Sequence, residues 1–297
     1  MKKQPVVPAI FPATFFTSLR ITFLRFMLLC FTFYSCTSNP FGGDDIAGEK
    51  RQVTGVVQLN DQGSPKDVHV WMAGFNLSAR TDDQGEFQLT LPPKGSQGTP
   101  GGVNGFFNIY PFVANYRLDS VQTVVQNGVF VYAKGDINKD GKLASSRVLR
   151  RFLRISTEVL PASVPRSFAG RIGVTVTLEA ADSATVIFPQ SLGDLLGALL
   201  IRRAGTEDIT IFQTTPGAGV RDIDLIGRAP KSRSTIFNLV QTPLAPGQYE
   251  VIPYLLIRHQ KLPKGLIEGI AANVEALGPD YLKLPIRREG GQFEVMP

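Results

Sequence analysis

The sequence predicts an all-β protein with two β-sandwich domains in tandem, preceded by a signal segment and a flexible tether. Short apolar runs alternate with polar residues at a period of two, as at residues 171–179, and turn residues separate these runs at regular spacing. The 29 Gly and 21 Pro favour turns over long helices. A length of 297 residues accommodates about two domains.

Residues 1–35 are predicted to be a secretory signal peptide. The first 25 residues carry four basic side chains, and an uncharged apolar run follows at 26–34. A basic region followed by a short apolar core is typical of secretory signals, and this run is shorter than the ~20 residues that a membrane-spanning helix needs. Because the basic region is unusually long, a start of translation downstream of Met1 is a second interpretation.

Cys36 directly follows the apolar run and the small residue Ser35. This arrangement resembles a bacterial lipoprotein cleavage box, although Phe33 and Tyr34 depart from the usual Leu and small residue. The resemblance implies diacylglycerol on Cys36, cleavage before it, and a partner that is the membrane itself. Each buried lipid methylene contributes about 0.8 kcal/mol to such an anchor. The alternative is an ordinary signal with a chance cysteine.

The cysteine count favours the anchor. Cys30 would leave with the signal and Cys36 would be acylated, so the mature chain would have no thiol available for a disulfide. Residues 36–50 then form the lipidated cysteine and a polar, Gly-rich tether, whose composition cannot bury enough apolar surface to order itself.

The first predicted domain spans residues 51–160. Its opening strands lie at 53–58, 68–72, 77–80 and 87–91. Turn clusters separate them at 60–65 and 82–85, where Gly85 after Asp-Asp-Gln predicts a tight hairpin. Further strands are expected at 106–116, 118–125 and 129–133, with Asn127-Gly128 as a hairpin turn, and residues 148–159 are expected to close the domain.

Five pieces of this domain resemble the carboxypeptidase regulatory-like family, a transthyretin-like β-sandwich. They are Gly55-Val56-Val57, Gly63-Ser64-Pro65, Val68-His69-Val70, the stretch TDDQGEF at 81–87, and Leu89-Thr90-Leu91-Pro92. The resemblance covers about forty residues. It implies an accessory module for stability, adhesion or carbohydrate contact. The long Gly/Ser/Pro loop at 94–105 departs from the family pattern.

One motif contains the residue types that bind a metal ion. Asp136, Asn138 and Asp140 alternate before Gly141, which is the first half of a calcium loop and resembles EF-hand and dockerin-type loops. Arg147 occupies the twelfth position, where a bidentate carboxylate belongs. Two interpretations therefore stand: a calcium site completed by backbone carbonyls and water, or a plain turn capped by its own side chains.

The second predicted domain spans residues 161–297 and is an Ig-like or transthyretin-like β-sandwich. Strands are predicted at 171–179, 184–188, 198–202, 209–213, 220–226, 234–240, 244–252, 254–259, 282–286 and 292–296. Short helices are alternatives at 192–200, in competition with a strand from residue 198, and at 266–277.

Side chains that carry catalytic chemistry are sparse. His69 and His259 lie in apolar runs without the spacing of a zinc site or a nucleophile pair, so both are predicted to be packing or surface residues. Trp71 and the aromatic residues at 106–116 are predicted to be core rather than a sugar-stacking platform. The net charge is +6, and apart from the run RVLRRFLR at 147–154 the basic residues are scattered, which favours solvated faces over nucleic-acid binding.

These observations predict a non-catalytic lipoprotein of the bacterial outer membrane with a structural or binding role. Its partners would be the membrane, through the lipid, and a carbohydrate or another envelope protein. One alternative is a carbohydrate-binding accessory protein. A second is an uncharacterised hydrolase, because folding can bring distant carboxylates together.

Overall fold

The described residues, 50–191, 193–214 and 220–297 of a computed structural model, form twenty β-strands and two short 3-10 segments. The first ten strands are β1 Gln52–Leu59, β2 His69–Met72, β3 Leu77–Arg80, β4 Glu86–Thr90, β5 Gly105–Phe112, β6 Val121–Gln126, β7 Val129–Phe130, β8 Arg147–Leu149, β9 Leu153–Leu160 and β10 Ser163–Pro165. The other ten are β11 Ile172–Ala180, β12 Ala184–Pro189, β13 Ala198–Arg203, β14 Ile209–Gln213, β15 Arg221–Ile226, β16 Lys231–Phe237, β17 Gly247–Pro253, β18 Leu256–Arg258, β19 Glu289–Gly290 and β20 Gln292–Met296. The 3-10 segments are Lys94–Ser96 and Pro279–Lys283.

The all-β class with several sheets is confirmed. No helix in the described ranges is long and apolar enough to cross a membrane. The predicted signal peptide, Cys36 and the tether up to residue 49 lie outside the described residues.

The first hydrophobic core lies between the sheets β4-β1-β8 and β3-β2-β5-β6-β7. The alternation predicted for β4 is confirmed, because Phe87 and Leu89 are buried and their neighbours are exposed. The hairpin at Asn127-Gly128 is confirmed as well. Both residues have positive φ, at 51° and 75°, and they join the antiparallel pair β6 and β7.

The turn at 82–85 differs from the predicted hairpin. It does not join paired strands, because β3 and β4 belong to different sheets, so the turn carries the chain across the core. Gly85 is required there. Its φ is +81°, and a Cβ atom at this position would lie 2.1 Å from the carbonyl oxygen of Val57.

The second hydrophobic core is enclosed by three sheets, β16-β11-β9-β19, β10-β20-β17-β13-β14 and β15-β12-β18. The prediction that residues 148–159 form one strand closing the first domain is wrong. Strand β8 pairs in parallel with β1, whereas β9 pairs antiparallel with β11 over the register Leu153↔Ala180 to Leu160↔Gly173. The chain therefore changes core between residues 149 and 153.

This change of core falls before the predicted boundary at residue 160, because the alternating apolar side chains of β9 face the second core. Residues Lys50–Pro297 form one compact unit that contains both cores. The division into domains 51–160 and 161–297 therefore stays a prediction. Three local predictions have different outcomes. Ala198–Arg203 is a strand, as one alternative predicted, and residues 266–277 form turns rather than a helix. The strand expected at 282–286 is absent, because a 3-10 segment ends at Lys283 and no strand follows up to residue 286.

Candidate functional site at the junction of the two cores

The predicted calcium loop folds around an arginine. The carboxylate oxygen Oδ2 of Asp136 accepts a hydrogen bond from the backbone N–H of Gln122 at 2.9 Å. The guanidinium of Arg147 lies 3.4 Å from the same oxygen. A protein cation thus occupies the space beside the first predicted ligand, where an EF-hand pattern would place a carboxylate at its twelfth position.

The second predicted ligand is also engaged. Oδ1 of Asn138 accepts hydrogen bonds from the backbone N–H groups of Asp140 and Lys142, both at 2.9 Å, which is an Asx-type turn. Within the described ranges, no group of three His, Cys, Asp or Glu side chains is arranged to hold a metal ion. The residues do not fit the EF-hand pattern, and calcium at Asp136, Asn138 and Asp140 stays a prediction.

A buried asparagine joins the two cores. Asn115 is 0% exposed and follows β5. Its Nδ2 donates to the carbonyl oxygens of Leu153 and Arg287 at 3.0 and 2.9 Å. Its Oδ1 accepts the backbone N–H of Arg287 at 2.9 Å. One side chain therefore satisfies three backbone groups, from the start of β9 and from the segment before β19. We call this meeting point of the two cores, around Asn115, Leu153 and Arg287, the junction. Nothing in the local sequence pattern predicts this role of Asn115.

Next to Asn115, charged side chains form a chain of contacts across the junction. Arg151 lies 3.0 Å from the Asp61 carboxylate and 2.8 Å from that of Glu289, which also pairs with Arg154 at 2.6 Å. Tyr116 donates its hydroxyl to Asp61 at 2.5 Å. Burial raises the pKa of Asp61, but the hydrogen bond from Tyr116 and the charge of Arg151 bring this pKa below its usual value.

Trp71 belongs to the second core although it lies on β2 of the first. It is 3% exposed, and its Nε1 donates to Oδ1 of Asn76 at 3.0 Å. Two glycines in the segment after β18 permit close approach to its ring. A Cβ atom at Gly265 or Gly269 would lie 3.2 or 3.0 Å from the indole. The prediction that Trp71 is a core residue is confirmed, and the packing explains how the two cores merge.

Both histidines pack at this junction. His69 is 2% exposed, its Nε2 has no hydrogen-bond partner, and burial and the charge of Arg80 lower its pKa to about 4. The ring of His259 lies 5.5 Å from that of Phe112 and 5.8 Å from that of Phe152, and burial lowers its pKa. At neutral pH both side chains are uncharged packing groups.

One aromatic residue of the set at 106–116 does not lie in a core. Phe106 is 72% exposed, whereas Phe112 and Tyr116 are each 1% exposed. Phe106, Asn108 and Tyr110 alternate along β5 and share one face of the sheet. The amide of Asn108 lies 3.3 Å from the hydroxyl of Tyr110. The prediction of a buried aromatic set is therefore wrong for Phe106, which presents an exposed ring on the same face of β5 as the amide of Asn108.

No protein-family model and no curated protein matches the sequence. Among solved structures, the Bacillus anthracis TIE protein matches with 9% identity and a TM-score of 0.22, covering 72% of this chain and 31% of that one. BcpA, the major pilin subunit of Bacillus cereus, matches with 10% identity and a TM-score of 0.23, covering 68% of this chain and 63% of that one. The chain thus spans less than two thirds of either structure. The class of the protein, an all-β fold of several sheets, rests on the strand pairing described above.

Proposed function

We propose that the protein is a non-catalytic lipoprotein of the bacterial outer membrane, anchored through lipid on Cys36, whose folded part is a rigid structural or binding body. The observation that supports this proposal is the hydrogen bonding of Asn115 at the junction of the two cores. Asn115 is fully buried and bridges both cores through three hydrogen bonds. Removing such a group leaves buried backbone donors and acceptors unpaired, which costs about 1–3 kcal/mol for each.

The charged and buried polar side chains at the junction restrict motion and are poorly suited to catalysis. The ion pairs of Arg151 and Arg154 with Glu289 are partly exposed, and each such pair contributes ~0–1 kcal/mol while limiting relative motion of the strands that it joins. His69 is neutral and buried, so it is poorly placed to exchange protons with a substrate. A body of this kind suits a spacer that presents a binding face in a fixed position on the folded part of the chain.

The proposed attachment of the protein to the membrane is tested by labelling cells with a palmitate analogue. The unmodified chain and the matched variant Cys30→Ala are expected to carry the label and to fractionate with the outer membrane. Cys36→Ala is expected to lose the label and to leave that fraction. Label retained on Cys36→Ala would contradict lipid on Cys36, and absence of label from the unmodified chain would leave the ordinary-signal interpretation.

Rigidity is tested by distance measurements between two spin labels. With Cys30→Ala and Cys36→Ala, the chain has no native cysteine, so labels attach only at Gln126→Cys, on a strand that encloses the first core, and at Arg166→Cys, directly after a strand that encloses the second. Both positions are exposed. We expect one narrow distance distribution, broadened when Asn115→Ala is added. A broad distribution in the parent pair would contradict a rigid body.

A second candidate function, carbohydrate binding, is favoured by the exposed ring of Phe106 and the amide of Asn108 on the same face. It also agrees with the carboxypeptidase regulatory-like resemblance of the first core. Stacking on an exposed ring and amide hydrogen bonds would recognise a neutral sugar. On a glycan array, Phe106→Ala should lose any signal, whereas Val148→Ala, at an exposed apolar position on β8, should retain it. Uniform silence of the unmodified protein would leave the structural role alone.

A further inference from the structure

A cleft of about 380 Å³ opens at the junction, where the end of β3 meets the segment before β19. Its apolar wall includes Ile252 and Ile286. Its charged wall is strongly basic, with five cationic side chains: Arg80, Arg202, Lys283, Arg287 and Arg288. Two carboxylates, those of Asp67 and Glu250, also line it, so positive charge is in excess by three.

Two of the cations are neutralised by carboxylates. Arg202 pairs with Glu250, and the ammonium of Lys283 lies 2.7 Å from Asp280. The other three guanidiniums have no carboxylate within ion-pair distance in the described part of the chain. Their charge is therefore available to a ligand.

These three guanidiniums are held in place by neutral oxygens. Arg80 donates to the carbonyl oxygens of Asp67 and Lys283 at 3.1 and 2.7 Å. Arg287 donates to the carbonyl oxygen of Lys66, the residue before Asp67. Because the two carbonyls belong to adjacent residues, Arg80 and Arg287 both lie against the same short stretch of backbone at the cleft.

The third guanidinium, that of Arg288, is positioned by a tyrosine. It donates to the hydroxyl of Tyr281 at 3.0 Å and lies 5.3 Å from the centre of its ring. The Nε atoms of Arg287 and Arg288 are both buried and have no hydrogen-bond partner. Because these Nε atoms are closed to solvent, an oxyanion in the cleft would be bound through the terminal Nη groups of the guanidiniums.

Burial and nearby charges act on two of these guanidiniums. Burial lowers the pKa of Arg80, whereas the carboxylate of Asp67 raises it and the charge of Arg287 lowers it by less. Burial also lowers the pKa of Arg287, whereas Tyr116, Asp67 and Asp61 raise it. Both guanidiniums are therefore partly desolvated, and an anion bound between them would stabilise their charged forms.

We propose that this cleft binds a phosphate-bearing ligand through Arg80, Arg287 and Arg288. A guanidinium fork matches the oxygens of a phosphate in planar, bidentate contacts. A carboxylate satisfies one such fork, whereas a phosphate group carries ~1.5–2 negative charges and three acceptor oxygens, which suits three forks. The volume admits a phosphate together with a small attached group, and the apolar wall would contact the latter.

The test is calorimetric titration of protein purified from cells that express the full chain, at low salt, with pyrophosphate, inorganic phosphate and citrate. We expect pyrophosphate to bind most tightly and its affinity to fall as sodium chloride is raised. Arg287→Gln should weaken this binding at least tenfold. Arg171→Gln removes the same charge from an exposed position outside the cleft and should leave binding unchanged.

If Arg287→Gln does not fold by circular dichroism, Arg288→Gln serves instead, because its hydrogen bond goes to one tyrosine hydroxyl. Silence with both pyrophosphate and phosphate, tighter binding of citrate, or an equal loss in Arg171→Gln would overturn the proposal. Vesicles of phosphatidylglycerol, compared with phosphatidylcholine, identify the source. Arg287-dependent binding to the former points to a lipid headgroup, and binding of pyrophosphate alone points to a soluble phosphate.

Discussion

Arg233 donates two parallel hydrogen bonds to the carboxylate of Asp224. Nε of Arg233 lies 2.7 Å from Oδ2, and Nη2 lies 2.9 Å from Oδ1. The side chains are 5% and 6% exposed, and the guanidinium lies 4.5 Å from the ring centre of Phe188. Arg233 also donates to Ser191 Oγ at 2.9 Å and to the Gly193 carbonyl at 2.6 Å. This pair therefore anchors both β15 and the loop after β12.

Removing the arginine is expected to destabilise the protein strongly. Arg233→Met leaves the buried Asp224 carboxylate with Lys231 alone, at 2.7 Å. Breaking a buried pair on one side costs ~3–5 kcal/mol, and we expect the lower end of this range in the urea-derived free energy of unfolding. The matched variant Arg228→Met, whose side chain is 80% exposed, should lose less than about 1 kcal/mol. Equal losses would contradict this assignment.

The same strand shows where a sequence pattern stops being informative. Asp222 and Asp224 alternate with Ile223 and Leu225, and a period of two predicts a strand without saying which face is buried. In the fold Asp224 points inward, whereas Ile223 and Leu225 are 56% and 74% exposed. Hydrophobicity alone would favour the opposite orientation. The distant partner Arg233 decides it, and no local pattern reveals that partner.

The sequence was more informative where the determinants are local. The hairpin at Asn127-Gly128 and the alternating burial in β4 depend on neighbouring residues, and the sequence predicts both. The junction depends on residues far apart in the chain, such as Asn115 with Arg287, 172 positions later. The basic cleft arises in the same way, which is why scattered arginines predicted only solvated faces.

The buried histidine predicts a loss of stability in weak acid. The folded protein keeps His69 neutral down to a pKa of about 4, whereas the unfolded chain protonates it below its usual 6.5. The unfolded state then binds more protons between pH 6.5 and 4, so stability falls as pH falls through this window, by on the order of 3 kcal/mol. Urea unfolding at a series of pH values measures this slope.

His69→Gln should flatten that slope without abolishing it, because burial also lowers the pKa of His259. The carboxylate of Asp224 does not contribute to the slope of stability against pH in this window. Arg233 holds its pKa below the usual 3.8, so its stabilising contribution is lost only at pH values below that range. An unchanged slope in His69→Gln would show that the histidine is not responsible.

Asn115→Ala is expected to loosen the junction before the cores themselves unfold. The change removes three hydrogen bonds and should lower the free energy of unfolding by at least about 3 kcal/mol, since three buried backbone groups lose their partner. Trp71 is the single tryptophan and lies in the second core beside the junction, so its fluorescence reports there while circular dichroism reports on all sheets. We expect the two transitions to separate in Asn115→Ala. They should coincide in Gln126→Ala, a change at an exposed position of β6.

Replacing one arginine should convert the loop at 136–147 into a better calcium site. Arg147→Glu removes the guanidinium that lies 3.4 Å from Asp136 and places a carboxylate at the twelfth position, as calcium prefers. By calorimetry we expect calcium affinity at least tenfold higher than in the unmodified chain. Arg147→Gln separates loss of the cation from gain of a ligand and should give a smaller increase, while Arg150→Glu adds the same charge at an exposed position nearby and should give little. If Arg147→Glu gains no more than Arg150→Glu, the twelfth position does not limit calcium binding. No heat from calcium with the unmodified chain would contradict the calcium prediction and leave a turn capped by Asn138.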